Sequence, residues 1–403
     1  MRILVAHNFY QQPGGEDRIF ASEADLLEAR GHQVVRYSVH NNAISSMSRL
    51  AVARATLWNG EAMRELAALF ERERPDVAHF HNTFPLISPA AYYAARAANV
   101  PVVQSLHNYR LLCANAIFYR AERVCEDCQG RLGLWAGVAH GCYRDSRAAS
   151  GVVAAMLALH RARGAWSDLV DVYVVAVGEG AREKFVRGGL PAERLVVRNN
   201  GLYPDPGIGH GQGGYALYAG RLVPEKGLAV LLAAWKSLVD PPPLKIVGDG
   251  PMAGAVADAA ARCAAIERLG GQSGDRVVQL MKDAHILVVP SVWYEGVPRV
   301  IVEAYAVGLP VIASDIGALS SMVTHGRTGL HFRPGDAGDL ATQVAWATQH
   351  PVQLLAMRRA ARAEFDARYS AERSYDALMA IYERAIEHAR ARARSSEPAH
   401  APR

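Results

Sequence analysis

No stretch of about 18 consecutive apolar residues occurs in the 403-residue chain, which excludes a helix that spans a bilayer. The nearest approach, "GVVAAMLALHRARGAW", meets His160, Arg161 and Arg163 after nine residues and reads as a packed helix rather than a membrane-surface one. The opening "MRILVAHNFY" has one basic residue and an apolar run broken by His7 and Asn8. It is too short for the core of a signal peptide and reads as a first strand. The expected location is the cytoplasm, with peripheral contact at the inner face of the membrane permitted. Charge of one sign is also lacking: 44 Lys and Arg against 39 Asp and Glu leave +5, with arginine supplying most of the positive side. That excludes the dense basic stripe of a dedicated nucleic-acid binder. It leaves room for anionic substrates or the anionic cytoplasmic leaflet. Cysteine is scarce at five residues, but four of them fall close together.

What is present is ordinary globular composition, half apolar and a fifth charged. The length exceeds what one core usually serves, so two domains are expected. In the first half, β-type runs ("RILVAH", "QVVRYSV", "DVAHFH", "PVVQSLH") alternate with helical ones. The helical runs are "GEDRIFASEADLLEARGH", "EAMRELAALFERERP" and "SPAAYYAARAANV", the last with Ser88 as N-cap and Pro89 in the first turn. The second half repeats the plan. Its strands are "YALYAGRL", "PLKIVGDG", "HILVVPS" and "PVIASD", and its helices include "GLAVLLAAWKSLV", "AGAVADAAARCAAI" and "DRVVQLMKDA". Such alternation implies βαβ units and parallel sheets. The expected architecture is α/β, two Rossmann-like doubly wound domains facing across a cleft, with ligands outside the carboxyl ends of the strands. The expected boundaries are 1–198 for the first domain, 199–215 for a linker, 216–370 for the second domain and 371–403 for a C-terminal helix with a frayed tail. The linker holds a formal G-x-G-x-x-G at Gly209, Gly211 and Gly214. It precedes a strand and opens no helix, so it is not a dinucleotide fingerprint.

Three features carry chemistry. In "GRLVPEKG", Arg221 and Lys226 stand across a turn at a strand end, a forked guanidinium and a mobile ammonium suited to adjacent oxygens of a diphosphate. In "SVWYEGVPRVIVEAYAVGLPVIASDIGA", Glu295 lies in the turn before a helix and Glu303 on it, among apolar neighbours that oblige a carboxylate to find partners. Pro298 falls where the first helical turn begins. In "QQPGGEDR", Gly14 and Gly15 would let backbone approach a ligand.

In order and spacing, "YAGRLVPEKG", "IVGDGP", "VPSVWYEGVPRVIVEAYAVGLPVIASDIG" and "GRTGL" resemble the retaining GT-B glycosyltransferases of the family 4 type. These carry the glycosyltransferase group 1 domain and serve bacterial polysaccharide assembly among other pathways. The resemblance covers nearly the whole chain and is strongest from Tyr218 to Gly329. It implies transfer of a sugar from a nucleotide-diphosphate donor, UDP or GDP, to a hydroxyl of a saccharide or lipid-linked acceptor, with no cofactor required. It implies that Arg221 and Lys226 hold the diphosphate, Glu295 the donor sugar's hydroxyls and Glu303 the ribose. Backbone at Gly296 and Val297 would meet phosphate or sugar oxygens, while Val247, Gly248 and the loop after Ile266 would border the base. The glycine loop at Gly14 and Gly15 would lie at the donor phosphate. In "SLHNYR", His107 would stand beside the transferred sugar as a catalytic residue. His81, from "HFHN", and Asn108 would shape the acceptor side. Where the family more often has Gly, this chain has Pro298. A nucleotide-sugar 2-epimerase on the same fold and a non-catalytic nucleotide-sugar-binding subunit are the alternatives.

Cys113, Cys125, Cys128 and Cys142, with His140 two residues before the last, lie in an insert near 110–145. Four thiols in a cytosolic chain suit tetrahedral zinc, with His140 able to replace one. A disulfide or redox pair and unliganded thiols are the alternatives. Cys263 is expected on a helix, in the core.

Overall fold

The computed structural model describes residues 1–12, 14–130, 134–176, 178–296 and 298–396. The chain forms two compact units. The first contains residues 1–116, 126–200 and the C-terminal helix from Ser374; the second contains 117–125 and 201–373.

The first unit runs β1 (Arg2–Phe9), α1 (Gly15–Ala29), β2 (Gln33–His40), α2 (Arg49–Leu57), α3 (Gly60–Glu73), β3 (Val77–Phe80), α4 (Ala90–Ala97) and β4 (Val102–Leu106). A small hairpin, β5 (Tyr119–Arg120) and β6 (Arg123–Val124), groups with the second unit. The first unit resumes with α5 (Trp135–Ala139), α6 (Arg147–Ala162), β7 (Val172–Val175), α7 (Glu179–Arg187) and β8 (Leu195–Val197). Its sheet is parallel, in the order β2-β1-β3-β4-β7-β8.

The second unit runs β9 (Ala216–Ala219), α8 (Leu228–Ser237), β10 (Leu244–Val247), α9 (Ala253–Arg262), β11 (Ile266–Gly270), α10 (Gly274–Asp283), β12 (Ile286–Val289), α11 (Arg299–Ala306), β13 (Val311–Ser314), α12 (Gly317–Met322), β14 (Gly329–Phe332), α13 (Ala337–Gln349) and α14 (Pro351–Arg368). Its parallel sheet has the order β11-β10-β9-β12-β13-β14. This is the doubly wound order, in which the chain starts at the middle and winds outward both ways. Both faces are covered, and the strand residues show it. Leu217, Leu287, Val289, Val311 and Ala313 enter one core, while Ala216, Tyr218, Ile286, Val288 and Ile312 enter the other. That is why these strands read as continuous apolar runs rather than alternating ones.

The last helix, α15 (Ala371–Ser396), returns to the first sheet. Leu378, Ile381, Tyr382 and Ala385 pack with Ile3 and Val5 of β1 and Phe20 and Leu27 of α1. Each sheet has a switch point where the winding reverses: between β1 and β3 in the first, between β9 and β12 in the second. Loops leaving adjacent strands on either side of such a point open a crevice.

Several local expectations shift. Ser88 stands one residue before the N-cap, which is Pro89, although its Oγ still takes the Ala90 N–H at 3.2 Å. Pro298 is the N-cap of α11 rather than its first residue, so its missing N–H lies outside the helical ladder. The "loop" after Ile266 is the edge strand β11, whose exposed Glu267 and Arg268 break the apolar pattern and suit an unpaired edge. The edge strand β14 also lacks a sequence signal. It needs Gly329 because a Cβ there would lie 1.9 Å from the Val311 carbonyl oxygen of β13. Cys263 is the C-cap of α9 and only partly buried. Gly209, Gly211 and Gly214 open no helix. Among the described residues, no helix is long and apolar enough to cross a membrane.

Candidate active site

Two clusters of polar side chains gather at the two switch points, one in each unit.

In the second unit, β9 pairs directly with β12, Ala216 opposite Ile286 and Leu217 opposite Leu287. The loops that follow these strands therefore rise side by side. Pro224–Lys226 makes a single 3-10 turn ending at Gly227, whose φ is +72°. A Cβ on Gly227 would lie 1.8 Å from the Pro290 carbonyl oxygen. Both the left-handed backbone and the close approach require glycine. The Val292 N–H donates to the Glu225 carbonyl at 3.0 Å and ties the loops together. The result is a forked contact: Lys226 Nζ lies 2.6 Å from Glu295 Oε1 and 2.8 Å from Oε2. Ser291 Oγ donates to Oε1 at 2.5 Å. Glu295 is buried, and these charge-assisted bonds are what let a carboxylate stay there. The two groups were expected on different parts of a donor; the fold puts them in contact.

Arg221 differs. Its side chain is 56% exposed and its nearest acid, Glu225, is 3.8 Å away, so the guanidinium remains available to an outside anion. Tyr218, buried below it, donates its hydroxyl to the Arg221 carbonyl at 2.8 Å. Burial, then the charge of Glu295, holds the Tyr218 phenol far above its ordinary pKa. Gly248 follows β10 with φ +139°, and a Cβ there would lie 1.9 Å from the Gly220 carbonyl oxygen. It thereby presses the β10 loop against the start of the Arg221 loop. Gly296 is half-buried in the turn before α11; Val297 lies outside the described residues. Glu303 is buried on α11, and its Oε1 takes Arg299 Nε at 2.8 Å. Arg299 was not singled out in the sequence, although a cation four residues before an acid on a helix is a pairing signal.

In the first unit, Gly14 caps α1 and its N–H donates to Asp17 Oδ2 at 2.7 Å. Asp17 Oδ1 meets His7 Nε2 at 2.7 Å. Gly14 has an ordinary extended backbone, and a Cβ on Gly15 would meet nothing within 4 Å. Neither position needs glycine for the fold itself. Asn108 is fixed by α1: its Nδ2 donates to Glu16 Oε1 at 2.7 Å, and Tyr10 donates to Oε2 at 2.8 Å. Burial raises the Glu16 pKa, and the bonds from Asn108 and Tyr10 offset part of that rise.

His81 and His107 do come together, His81 Nδ1 to His107 Nε2 at 3.1 Å with stacked rings. Both line a cavity of about 50 Å³ with Tyr10, Gln104 and Asn108. Behind them lies a buried network. Glu23 Oε1 is 3.1 Å from His79 Nδ1 and 3.3 Å from His81 Nε2. Glu23 Oε2 pairs with Arg198, which also donates to Ser374 Oγ at 2.7 Å. His79 meets Tyr382 OH at 2.9 Å and Ser105 Oγ at 2.8 Å. Burial opposes the Glu23 charge, but Arg198 and the two histidines hold its pKa well below the usual range. Burial first, then neighbouring His79, pushes His81 down to about 4. His107 is also held well below its ordinary value, by burial and then by His81. One signal for Glu23 was visible: it sits on the apolar stripe of α1 between Phe20 and Leu27, where an unpaired acid is costly. Arg198, which reaches Glu23, and Tyr382, which reaches His79, come from far along the chain and left no local trace.

Among the described residues, the ligating atoms that converge within 4.8 Å of one another are those of Glu23, His79 and His81. A divalent ion there would stand beside the buried Arg198 guanidinium with a single carboxylate to balance both charges, which disfavours an ion at this place. The expected zinc ligands Cys113, Cys125, Cys128, Cys142 and His140 are not in that group. Cys125 belongs with the second unit and the other three cysteines with the first. Cys113 Sγ donates to Asn115 Oδ1 at 2.9 Å, and His140 caps α5.

The chain matches known proteins over most of its length. Residues 13–205 match the family model described as Glycosyltransferase Family 4, and 213–350 match that described as Glycosyl transferases group 1. The putative teichuronic acid biosynthesis glycosyltransferase TuaC of Bacillus subtilis is 26% identical over 62% of this chain and 55% of its own. The 2-deoxystreptamine glucosyltransferase of Streptomyces kanamyceticus is 26% identical over 82% of each. The chain spans about half the length of several curated relatives it matches. Anabaena HepE in complex with UDP superposes with TM-score 0.67 at 18% identity, covering 95% of this chain and 100% of that one, which shows a shared GT-B fold. With two Rossmann-like units in this order, each matched by the corresponding domain model, the chain belongs to the family 4, group 1 glycosyltransferases.

Proposed function

We propose that the protein is a retaining glycosyltransferase that moves a sugar from a nucleotide-diphosphate donor to a hydroxyl of a glycan or lipid-linked saccharide in polysaccharide assembly. The observation that carries this reading is the Lys226–Glu295–Ser291 cluster at the β9/β12 switch point, beside the exposed Arg221. Arg221 and Lys226 are positioned to take the two phosphates. Lys226 turning toward phosphate frees Glu295 oxygens to accept hydrogen bonds from sugar hydroxyls, since an ionised carboxylate is an acceptor only. Glu303, steadied by Arg299, is suited to the ribose hydroxyls in the same way. In the reaction, the bond from the anomeric carbon to the diphosphate breaks and the bond to the acceptor oxygen forms on the same face. The acceptor's proton passes to the departing phosphate oxygen, and the two cations stabilise the charge that develops there.

Relatives support the setting. TuaC is named for teichuronic acid biosynthesis and an Erwinia amylovora relative for amylovoran biosynthesis. UDP is the favoured nucleotide, since HepE is known with UDP and with UDP-glucose; GDP is the alternative. A lipid-linked acceptor finds support in an apolar groove of about 430 Å³ in the first unit, lined by Leu111, Leu134, Trp135 and Val138. Leu111 also lines the His107 cavity.

The test is a panel of nucleotide sugars with the purified protein, scored for donor consumption and for the anomeric configuration of the product by NMR. Transfer with retained configuration is expected. Inverted product would overturn the mechanism. Isomerised donor without acceptor would replace the reading with an epimerase, and tight donor binding with no turnover on any acceptor would replace it with a binding subunit.

A further inference from the structure

His81 stands between two neighbours, with Nε2 3.3 Å from Glu23 Oε1 and Nδ1 3.1 Å from His107 Nε2. A neutral imidazole has one N–H to give. Glu23 is ionised, bound through its other oxygen to Arg198, and can only accept. If His81 carried its proton on Nδ1, its bare Nε2 would face a carboxylate oxygen across 3.3 Å in a buried site, and among the described residues neither atom makes a well-aligned hydrogen bond to any other group. Two lone pairs so placed cost the full penalty of unsatisfied polar groups. The proton therefore belongs on Nε2, leaving Nδ1 bare. A bare His81 Nδ1 needs a donor, and the atom it faces is His107 Nε2. His107 then carries its own proton on Nε2, and its Nδ1 is bare. Among the described residues none donates to that Nδ1, and His107 lines the cavity with Tyr10, Gln104 and Asn108.

We propose that Glu23 is a positioning residue that sets the tautomer of His81 and, through it, that of His107, so that His107 offers the bound sugar a hydrogen-bond acceptor and selects for a hydroxyl there. The low pKa values of both imidazoles agree, because the relay works only while both are neutral. Near His81, the titratable and charged groups are Glu23 from α1, His79 from β3, His7 from β1 and Arg198 after β8. Of these, Glu23 is the acid that faces its Nε2. The selection for a hydroxyl rests on the proposed sugar transfer; the tautomers do not.

The experiment is a long-range 1H–15N correlation of the full chain labelled with 15N-histidine at neutral pH, with the His107 signals assigned by their loss in His107→Gln. Protonated Nε2 and bare Nδ1 are expected at both His81 and His107; a proton on His107 Nδ1 in the wild-type protein overturns the proposal. Glu23→Gln keeps a carbonyl for Arg198 but turns an amide N–H toward His81. It is expected to move the proton on both rings, as a carboxylate-to-amide change does in a Ser-His-Asp triad. It should lower kcat/KM by about tenfold or more, since His107 then presents a donor to a hydroxyl-reading position. A folded Glu23→Gln protein with the His107 tautomer unchanged would refute the coupling. If that variant fails to fold, His81→Leu serves: it should leave His107 a mixture of tautomers, and a single unchanged tautomer counts against the relay. The correct tautomers in a protein with no turnover on any nucleotide sugar would sink the transfer reading alone.

Discussion

The ammonium of Lys226 sits between both oxygens of Glu295, at 2.6 and 2.8 Å, although 69 residues separate the two in sequence. Each is the other's main counter-charge, and Ser291 completes the set. Lys226→Met and Glu295→Gln should each lower kcat by about 100-fold or more, the usual effect of deleting a group that stabilises developing charge. Because either change also releases the partner, the double variant should be far less than additive. Steady-state kinetics of the four proteins check this. Near-normal turnover in both single variants would remove the cluster from the catalytic site.

Glu303 and Arg299 form an i, i+4 pair on α11. If Glu303 holds the ribose, Glu303→Ala should raise the donor KM about tenfold with little change in kcat, because ribose binding is the same before and during transfer. Arg299→Ala should give a smaller rise of the same kind, by unpinning the carboxylate. A fall in kcat at unchanged KM would place Glu303 at the reacting sugar instead.

Gly227→Ala tests the joint between the loops. The substitution meets a φ of +72° and a carbonyl oxygen 1.8 Å from the new Cβ. Left-handed backbone alone costs about 1–2 kcal/mol, so a lowered Tm is expected. Turnover should fall as well, because the Pro290 segment must move and it leads into Ser291 and Glu295. Unchanged Tm and kcat would show that the two loops are not held as described.

Acid should weaken the first unit in two stages. The native pKa of His81 is about 4, against about 6.5 unfolded. Between those values the unfolded chain binds the extra proton, so stability is full above pH 6.5 and declines as pH falls toward 4. The slope reaches about 1.4 kcal/mol per pH unit for each such imidazole; His107, shifted the same way, adds to it. Glu23, whose pKa is depressed, loses its contribution only at lower pH, below the ordinary carboxylate range. Thermal unfolding from pH 7 to pH 4.5 measures the first stage, and His81→Gln should flatten it. An unaltered slope in that variant would assign the acid sensitivity elsewhere.

Local chemistry by itself determined much of this protein. Strand–helix alternation set the two doubly wound sheets, because strands buried on both faces must be apolar throughout and their crossovers must be helical. Turn residues and the ordered motifs from Tyr218 to Gly329 pointed to Arg221, Lys226 and Glu295 in the loops after β9 and β12, and to Glu303 on α11, as the donor site proposed above. The edge strands β11 and β14 escaped because short strands with exposed charges or a packing glycine carry no apolar period. Tertiary structure alone decided the partnerships: Lys226 with Glu295, Glu303 with Arg299, and Glu23 with Arg198, His79 and His81. It also brought α15 back onto β1, delivering Tyr382 and Ser374 to that network. A buried charge is paid for by whichever partner the fold brings near, and strand order, not sequence distance, fixes which partner that is.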